Sequence, residues 1–126
     1  MSRFSIAERM ASFSHAFWGF IDLLRSQHNA RIHLLATILV IALASWLKLD
    51  RTDWIALLVA IALVWVTEAL NTALEYLADA AVPEHHPLIG KAKDVAASAV
   101  LIASLVAAVI GLLVFLPALL PELFAG

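Results

Sequence analysis

The sequence predicts an all-α integral membrane protein: an N-terminal amphipathic helix at the membrane interface, then three transmembrane helices. Three observations predict it. Of the 126 residues, 63% are hydrophobic and 14% are charged, against roughly 45–50% and about 25% in an ordinary soluble domain. A domain this small has too much surface to bury such an apolar excess, and the mean hydropathy is +0.96. Finally, three apolar runs approach or exceed the ~20 residues that a spanning helix requires.

The first element is the amphipathic one. Ile6, Met10, Phe13, Phe17, Ile21 and Leu24 recur at steps of three and four, which gathers them on one helical face at about residues 5–27. Glu8, Arg9, Ser12, His15 and Asp22 lie mostly elsewhere, a pattern suited to the membrane interface. The first span, IHLLATILVIALASWL, is short and extends to about residues 30–48. The second begins near Trp54 and covers about residues 53–81. The third, built on VAASAVLIASLVAAVIGLLVFL, covers about residues 92–118. Trp46 and Trp54 flank the first connection as an aromatic belt. Pro83 and Pro87 break the second, and Pro117 and Pro121 end the last helix. Without an internal repeat or a low-complexity linker, residues 1–126 read as a single domain.

Several classes are excluded. With no cysteine, disulfides and thiolate metal sites are out. No basic tract suits nucleic acid. Glu8, Arg9, His15, Asp22 and Arg25 interrupt the apolar core that a signal peptide would need. Arg3, Arg9, Arg25, Arg31, Lys91 and Lys93 would share one side, leaving Lys48 and Arg51 on the other. The positive side is the cytoplasmic one, so a multi-pass protein with its N-terminus in the cytoplasm is expected.

The second span carries the chemistry. At ~100° per residue, Glu68, Asn71, Glu75 and Asp79 fall within an arc of about 80°, one narrow stripe. At ~1.5 Å per residue, Glu68 lies ~21 Å from Trp54 and Glu75 ~31 Å. Glu68 is therefore inside a hydrocarbon core about 30 Å thick, and Glu75 is at its boundary. A carboxylate at Glu68 depth suits proton removal from a hydroxyl held near the headgroups. One further out suits a divalent cation carrying phosphate, because hard cations prefer oxygen ligands. No Lys or Arg lies within residues 32–47, 54–81 or 95–116 to neutralise Glu68, so a purely structural ion pair is set aside. Lys91 and Lys93 add positive charge to the neighbouring loop, and Asp94 is expected to begin the third helix, where an acid suits the dipole. His85 and His86 gain weight only by lying across from the stripe. Ala99, Ala103, Ala107 and Gly111 recur at every fourth position, a seam for close helix approach. Three spans give little interior for a polar stripe, so an oligomer closing the site between subunits is expected.

EALNTALEYLAD followed by HPLIGKAKDVAASAVLIA, with NARIHLLAT upstream, resembles the small prokaryotic diacylglycerol kinase and undecaprenol kinase family over nearly the whole chain. The RIHL and HPL elements are more similar to the undecaprenol-type branch. The resemblance implies a homotrimeric lipid kinase that moves the γ-phosphate of ATP, with Mg2+, onto a lipid alcohol. Carried over by position, Glu68 is the general base with Asn71 supporting the site, and Glu75 binds the metal. Lys93 neutralises the transferring phosphate, and Asp94 orients it or contacts the nucleotide. Glu84 and His86 fall where the family contacts the nucleotide, and Asp79 lies close by. One departure stands out: the diacylglycerol-type acidic metal ligand before the first span is replaced by Gln27, with His28 and Asn29 beside it. Ser14 and Ala16 stand where the family has polar residues on the first helix. Two alternatives use the same stripe: a lipid phosphate phosphatase, and a non-enzymatic membrane protein that handles cations or protons. The Lys93–Asp94 pair and the His-Pro loop speak against the second.

Overall fold

The computed structural model describes residues 4–126; Arg3, counted above for topology, lies outside them. Four helices follow in order: α1 (Ile6–Ser26), α2 (His28–Trp46), α3 (Arg51–Ala81) and α4 (Pro87–Leu119), with a terminal 3-10 turn at Pro121–Leu123. α2, α3 and α4 are each long and apolar enough to cross a membrane.

α1 starts at Ser5, whose hydroxyl accepts from the Glu8 backbone N–H, with Glu8 itself in the favourable first turn. It is exposed along nearly its whole length, and only Leu23 is buried. A single residue, Gln27, ends α1 and begins α2. Its extended backbone (φ −110°, ψ 122°) breaks the helix without adding a loop. Arg31, one turn into α2, reaches back so that its Nε donates to the Leu24 carbonyl at 3.0 Å. A cation counted for topology thus also caps α1, as the negative end of a helix favours.

α2 closes with a Schellman turn. The Leu49 N–H donates to the Ala44 carbonyl and the Lys48 N–H to that of Ser45, both at 3.2 Å. Lys48 occupies the left-handed position, φ 52°, which glycine normally fills. Asp50 then caps α3, its Oδ1 accepting from the Asp53 N–H at 2.9 Å. The whole connection between the first two spans is thereby hydrogen-bonded.

The main packing is between α3 and α4, with weaker contacts from α2 and α1. The apolar core sits at one end: Ala44, Leu57 and Val114 are buried, with Val40, Leu49, Trp54, Ile110 and Phe115 against them. Of the small-residue seam on α4, Ala103 is buried, Ala107 and Gly111 are half-buried and Ala99 is exposed.

Three sequence expectations need correction. α4 begins at Pro87 instead of near residue 92. Proline is tolerated at a first helical position because its missing N–H would be unpaired there, so Pro87 opens the helix rather than breaking the chain. Asp94 consequently lies in the third turn of α4, and the first turn holds no acid, so the dipole argument does not apply to it. Pro117 lies inside α4, which runs on to Leu119 and closes with Leu120 N–H to the Leu116 carbonyl at 2.9 Å. A proline removes one N–H near the helix end and leaves the following turn able to form.

Candidate active site

One face of α3 changes character along its length. It buries Leu57, Ala60 and Val64, then Glu68 and Thr72 without changing direction. Asn71 and Glu75 are half-buried on the same face, and Asp79 is exposed beyond them. Period alone explains this: residues three, four and seven apart return to one side of the helix.

Glu68 is 2% exposed, the largest fully buried side chain among the described residues. It does have a polar neighbour, though neither a Lys nor an Arg. His33 of α2 brings its Nε2 to 3.3 Å from Glu68 Oε2. No Lys or Arg among the described residues approaches it, and a histidine is the polar neighbour across the helix interface. The pair is close enough for an ionic contact, but its angles do not make a hydrogen bond, and both atoms stay without one. Two more buried atoms are in the same condition, Asn71 Oδ1 and Thr72 Oγ1. Each unsatisfied buried polar group costs roughly 1–3 kcal/mol. Four of them cluster on neighbouring turns of α3 and the facing turn of α2.

His33 is itself held from several sides. Its ring meets Trp65 edge-on, with centroids 6.2 Å apart and planes at 71°. The Trp65 indole N–H donates to Thr37 Oγ1 at 3.0 Å, and the Thr37 hydroxyl donates to the His33 carbonyl at 2.7 Å. Phe20 of α1 packs on Trp65 at 5.0 Å. Two cavities lie near the pair, one of them lined by His33 and neither by Glu68. One, about 520 Å3 between α1 and α3, is lined by Gly19, Leu23, Ala69, Thr72 and Tyr76. The other, about 440 Å3 among α2, α3 and α4, is lined by His33, Thr37, Val64, Ala107 and Gly111. At the polar rim of the first cavity, the Tyr76 hydroxyl bridges Asp22 (3.0 Å) and Ser26 (2.7 Å), tying α3 to α1.

The remaining sequence candidates lie nearer the ends of α3 and α4. Lys93 pairs with Asp79, joining the two helices. His86 caps α4, its Nδ1 accepting from the Leu88 N–H at 3.2 Å. Glu84 is exposed in the loop between α3 and α4, and Asp94 is exposed on α4. Gln27 is half-buried at the α1–α2 junction, and its side chain makes no capping bond. Among the described residues no three His, Cys, Asp or Glu side chains converge as a metal cage.

Sequence reasoning missed His33, Trp65, Thr37 and Thr72. Thr72 had a signal, since it follows Glu68 by four residues. His33 had one too, being the histidine of the RIHL element, but nothing in the sequence placed it opposite Glu68.

Comparison with known proteins decides the family. The prokaryotic diacylglycerol kinase family matches residues 14–115. The chain belongs to that family. An undecaprenol kinase of Bacillus subtilis is 36% identical over 86% of this chain and 88% of its own length. A diacylglycerol kinase of Synechocystis is 39% identical over 88% of this chain but only 64% of its own. The diacylglycerol kinase of Escherichia coli K12 is 39% identical over 59% of this chain and 61% of its own length. This chain is therefore a membrane-embedded lipid kinase, a phosphotransferase. Of the three readings of the acidic stripe, the kinase stands and neither alternative is favoured.

Proposed function

We propose that this kinase transfers the γ-phosphate of Mg-ATP to the hydroxyl of a membrane lipid alcohol at the cytoplasmic interface, with undecaprenol ahead of diacylglycerol as acceptor. The observation that carries the reading is the buried Glu68 carboxylate, 2% exposed, on the face where α3 turns from apolar to polar. A carboxylate at membrane depth costs several kcal/mol unless it faces a pocket or a partner, and a lipid hydroxyl held near the headgroups can be brought to it from the membrane side. Undecaprenol leads because the Bacillus subtilis relative so named matches along most of both chains.

In this reading Glu68 accepts the hydroxyl proton as the lipid oxygen bonds to the γ-phosphorus and ADP leaves. General-base catalysis contributes ~10²–10⁴-fold. The donor set fits Mg2+. Glu75 offers carboxylate oxygens, and Asn71 Oδ1, buried and unpartnered, lies one turn away. Mg2+ is commonly held by one or two carboxylates together with substrate phosphates and water, so the lack of a three-residue cage is no obstacle. Gln27 would add a neutral oxygen. The metal, when bound, neutralises developing phosphate charge. Lys93 contributes its ammonium to the phosphates by exchanging its Asp79 partner for them. Glu84, His86 and Asp94 meet the nucleotide.

The remaining features concern assembly and placement. α1 lies in the interface with Phe13 and Phe17, 78% and 58% exposed, towards lipid, and the N-terminus faces the cytoplasm. Three copies close the site between subunits, which covers the unsatisfied polar cluster. The test is phosphate transfer by purified protein in lipid–detergent micelles, with γ-labelled Mg-ATP and undecaprenol or diacylglycerol supplied separately. Label enters undecaprenol faster if the reading holds. Label in diacylglycerol alone overturns the acceptor, and label in neither overturns the reaction.

A further inference from the structure

We propose that His33 is the positioning residue of Glu68, holding one carboxylate oxygen so that the other faces the acceptor hydroxyl. The inference rests on Glu68 as the base. Its ground is geometric. Nε2 of His33 stands 3.3 Å from Oε2 of Glu68, and neither atom has a hydrogen bond elsewhere. A carboxylate with one oxygen engaged by a fixed donor keeps a defined orientation, and its second oxygen is the one left for substrate. The off-line angle does not oppose this. Catalytic hydrogen bonds are often long or poorly aligned before substrate binds and tighten afterwards.

The imidazole has supports that simple space-filling does not require. Trp65 packs edge-on against it, the Trp65 N–H is tied to Thr37, and the Thr37 hydroxyl is tied to the backbone of His33 itself. Phe20 backs the indole from α1. Three helices thus fix the ring whose nitrogen meets the base. A side chain that only filled the interface between α2 and α3 would be served as well by leucine, without a polar nitrogen left unpaired. With Nε2 carrying the hydrogen, His33 donates to Oε2 and the proton taken from the lipid goes to Oε1. His33 makes no bond to substrate in this arrangement and acts entirely through Glu68.

The test uses the full-length kinase in micelles and two substitutions, His33→Leu and His33→Gln. Leucine keeps bulk and removes the donor; glutamine places an amide N–H near the Nε2 position. His33→Leu is expected to lower kcat by roughly 10–100-fold with KM for ATP and lipid changing less than about threefold, and His33→Gln to restore most of kcat. A His33→Leu enzyme with kcat within about twofold of the parent overturns the proposal, as does a His33→Gln enzyme no better than His33→Leu. Should His33→Leu fail to assemble, the ring-nitrogen NMR shift of labelled His33 gives the second measurement. It is expected to move on Glu68→Gln, and an unmoved resonance overturns the contact. Glu68→Gln assayed alongside separates the two readings. If Glu68→Gln keeps full turnover, the base assignment falls and this inference with it. If Glu68→Gln is inactive while His33→Leu is not, only the role of His33 falls.

Discussion

The two halves of α3 present the same face to the rest of the chain and do opposite things with it. From Arg51 to Val64 the face is apolar, and Leu57 joins Ala44 and Val114 in the buried core. From Glu68 to Asp79 it is polar, with its inner groups buried yet short of hydrogen bonds. Helical period places both halves on one line, so orientation does not distinguish them. What differs is whether the chain itself completes the packing. The apolar half is satisfied internally, whereas the polar half is left with open valences that a lipid hydroxyl, a phosphate or a neighbouring subunit can fill. Packing is completed at one end of the helix, and the proposed chemistry lies at the other.

The comparison is most directly broken at Glu68. Glu68→Gln is expected to lower turnover by about 10²–10⁴-fold while leaving the size of the protein in detergent unchanged, measured by label transfer and by size-exclusion. Full activity would remove Glu68 from the chemistry and erase the contrast. At the apolar end, Leu57→Ala should cost roughly 2–5 kcal/mol through lost contacts and a cavity, read as a lower Tm. Its kcat, assayed well below that Tm, should be unchanged, and a parallel loss of kcat would show the two ends to be coupled. A smaller effect is expected at the donor side. Gln27→Glu adds a charged oxygen ligand and should reduce the Mg2+ needed for half-maximal rate by roughly three- to tenfold, since carboxylate charge tightens hard-cation binding. An unchanged titration would place Gln27 away from the metal. The smallest effect is at the core end. Lys48→Gly relieves a left-handed backbone that costs a non-glycine residue about 1 kcal/mol, so a Tm gain with unaltered kinetics is expected.

Much of this was legible in the sequence because it depends on period and hydropathy. The stripe on α3 and the three long apolar runs need only a residue count. What was not legible depends on neighbours. His33 approaches Glu68 only because α2 packs against α3, and Asp79 meets Lys93 only because the loop between them reverses the chain. Lys48 gives no hint of its left-handed backbone, because the usual glycine or asparagine is absent. Pro87 and Pro117 look alike as breakers, yet one opens a helix and the other is carried inside one. Whether a missing N–H matters depends on position in the helix, which the residue type does not state.

The unequal lengths of the spanning helices have a consequence for the enzyme in its bilayer. α2 has 19 residues while α3 has 31, or ~28 Å against ~46 Å at ~1.5 Å per residue. α2 barely matches a hydrocarbon layer of about 30 Å, so it has no slack to absorb a thicker one. Through the Gln27 junction it also sets how far α1 stands from the opposite surface. Acyl chains of greater length would carry the headgroup plane outward past Glu68, and shorter ones would bring it inward. With Glu68 as the proposed base, membrane thickness becomes a variable of the reaction itself, because the carboxylate is fixed to the protein and the acceptor is fixed to the lipid.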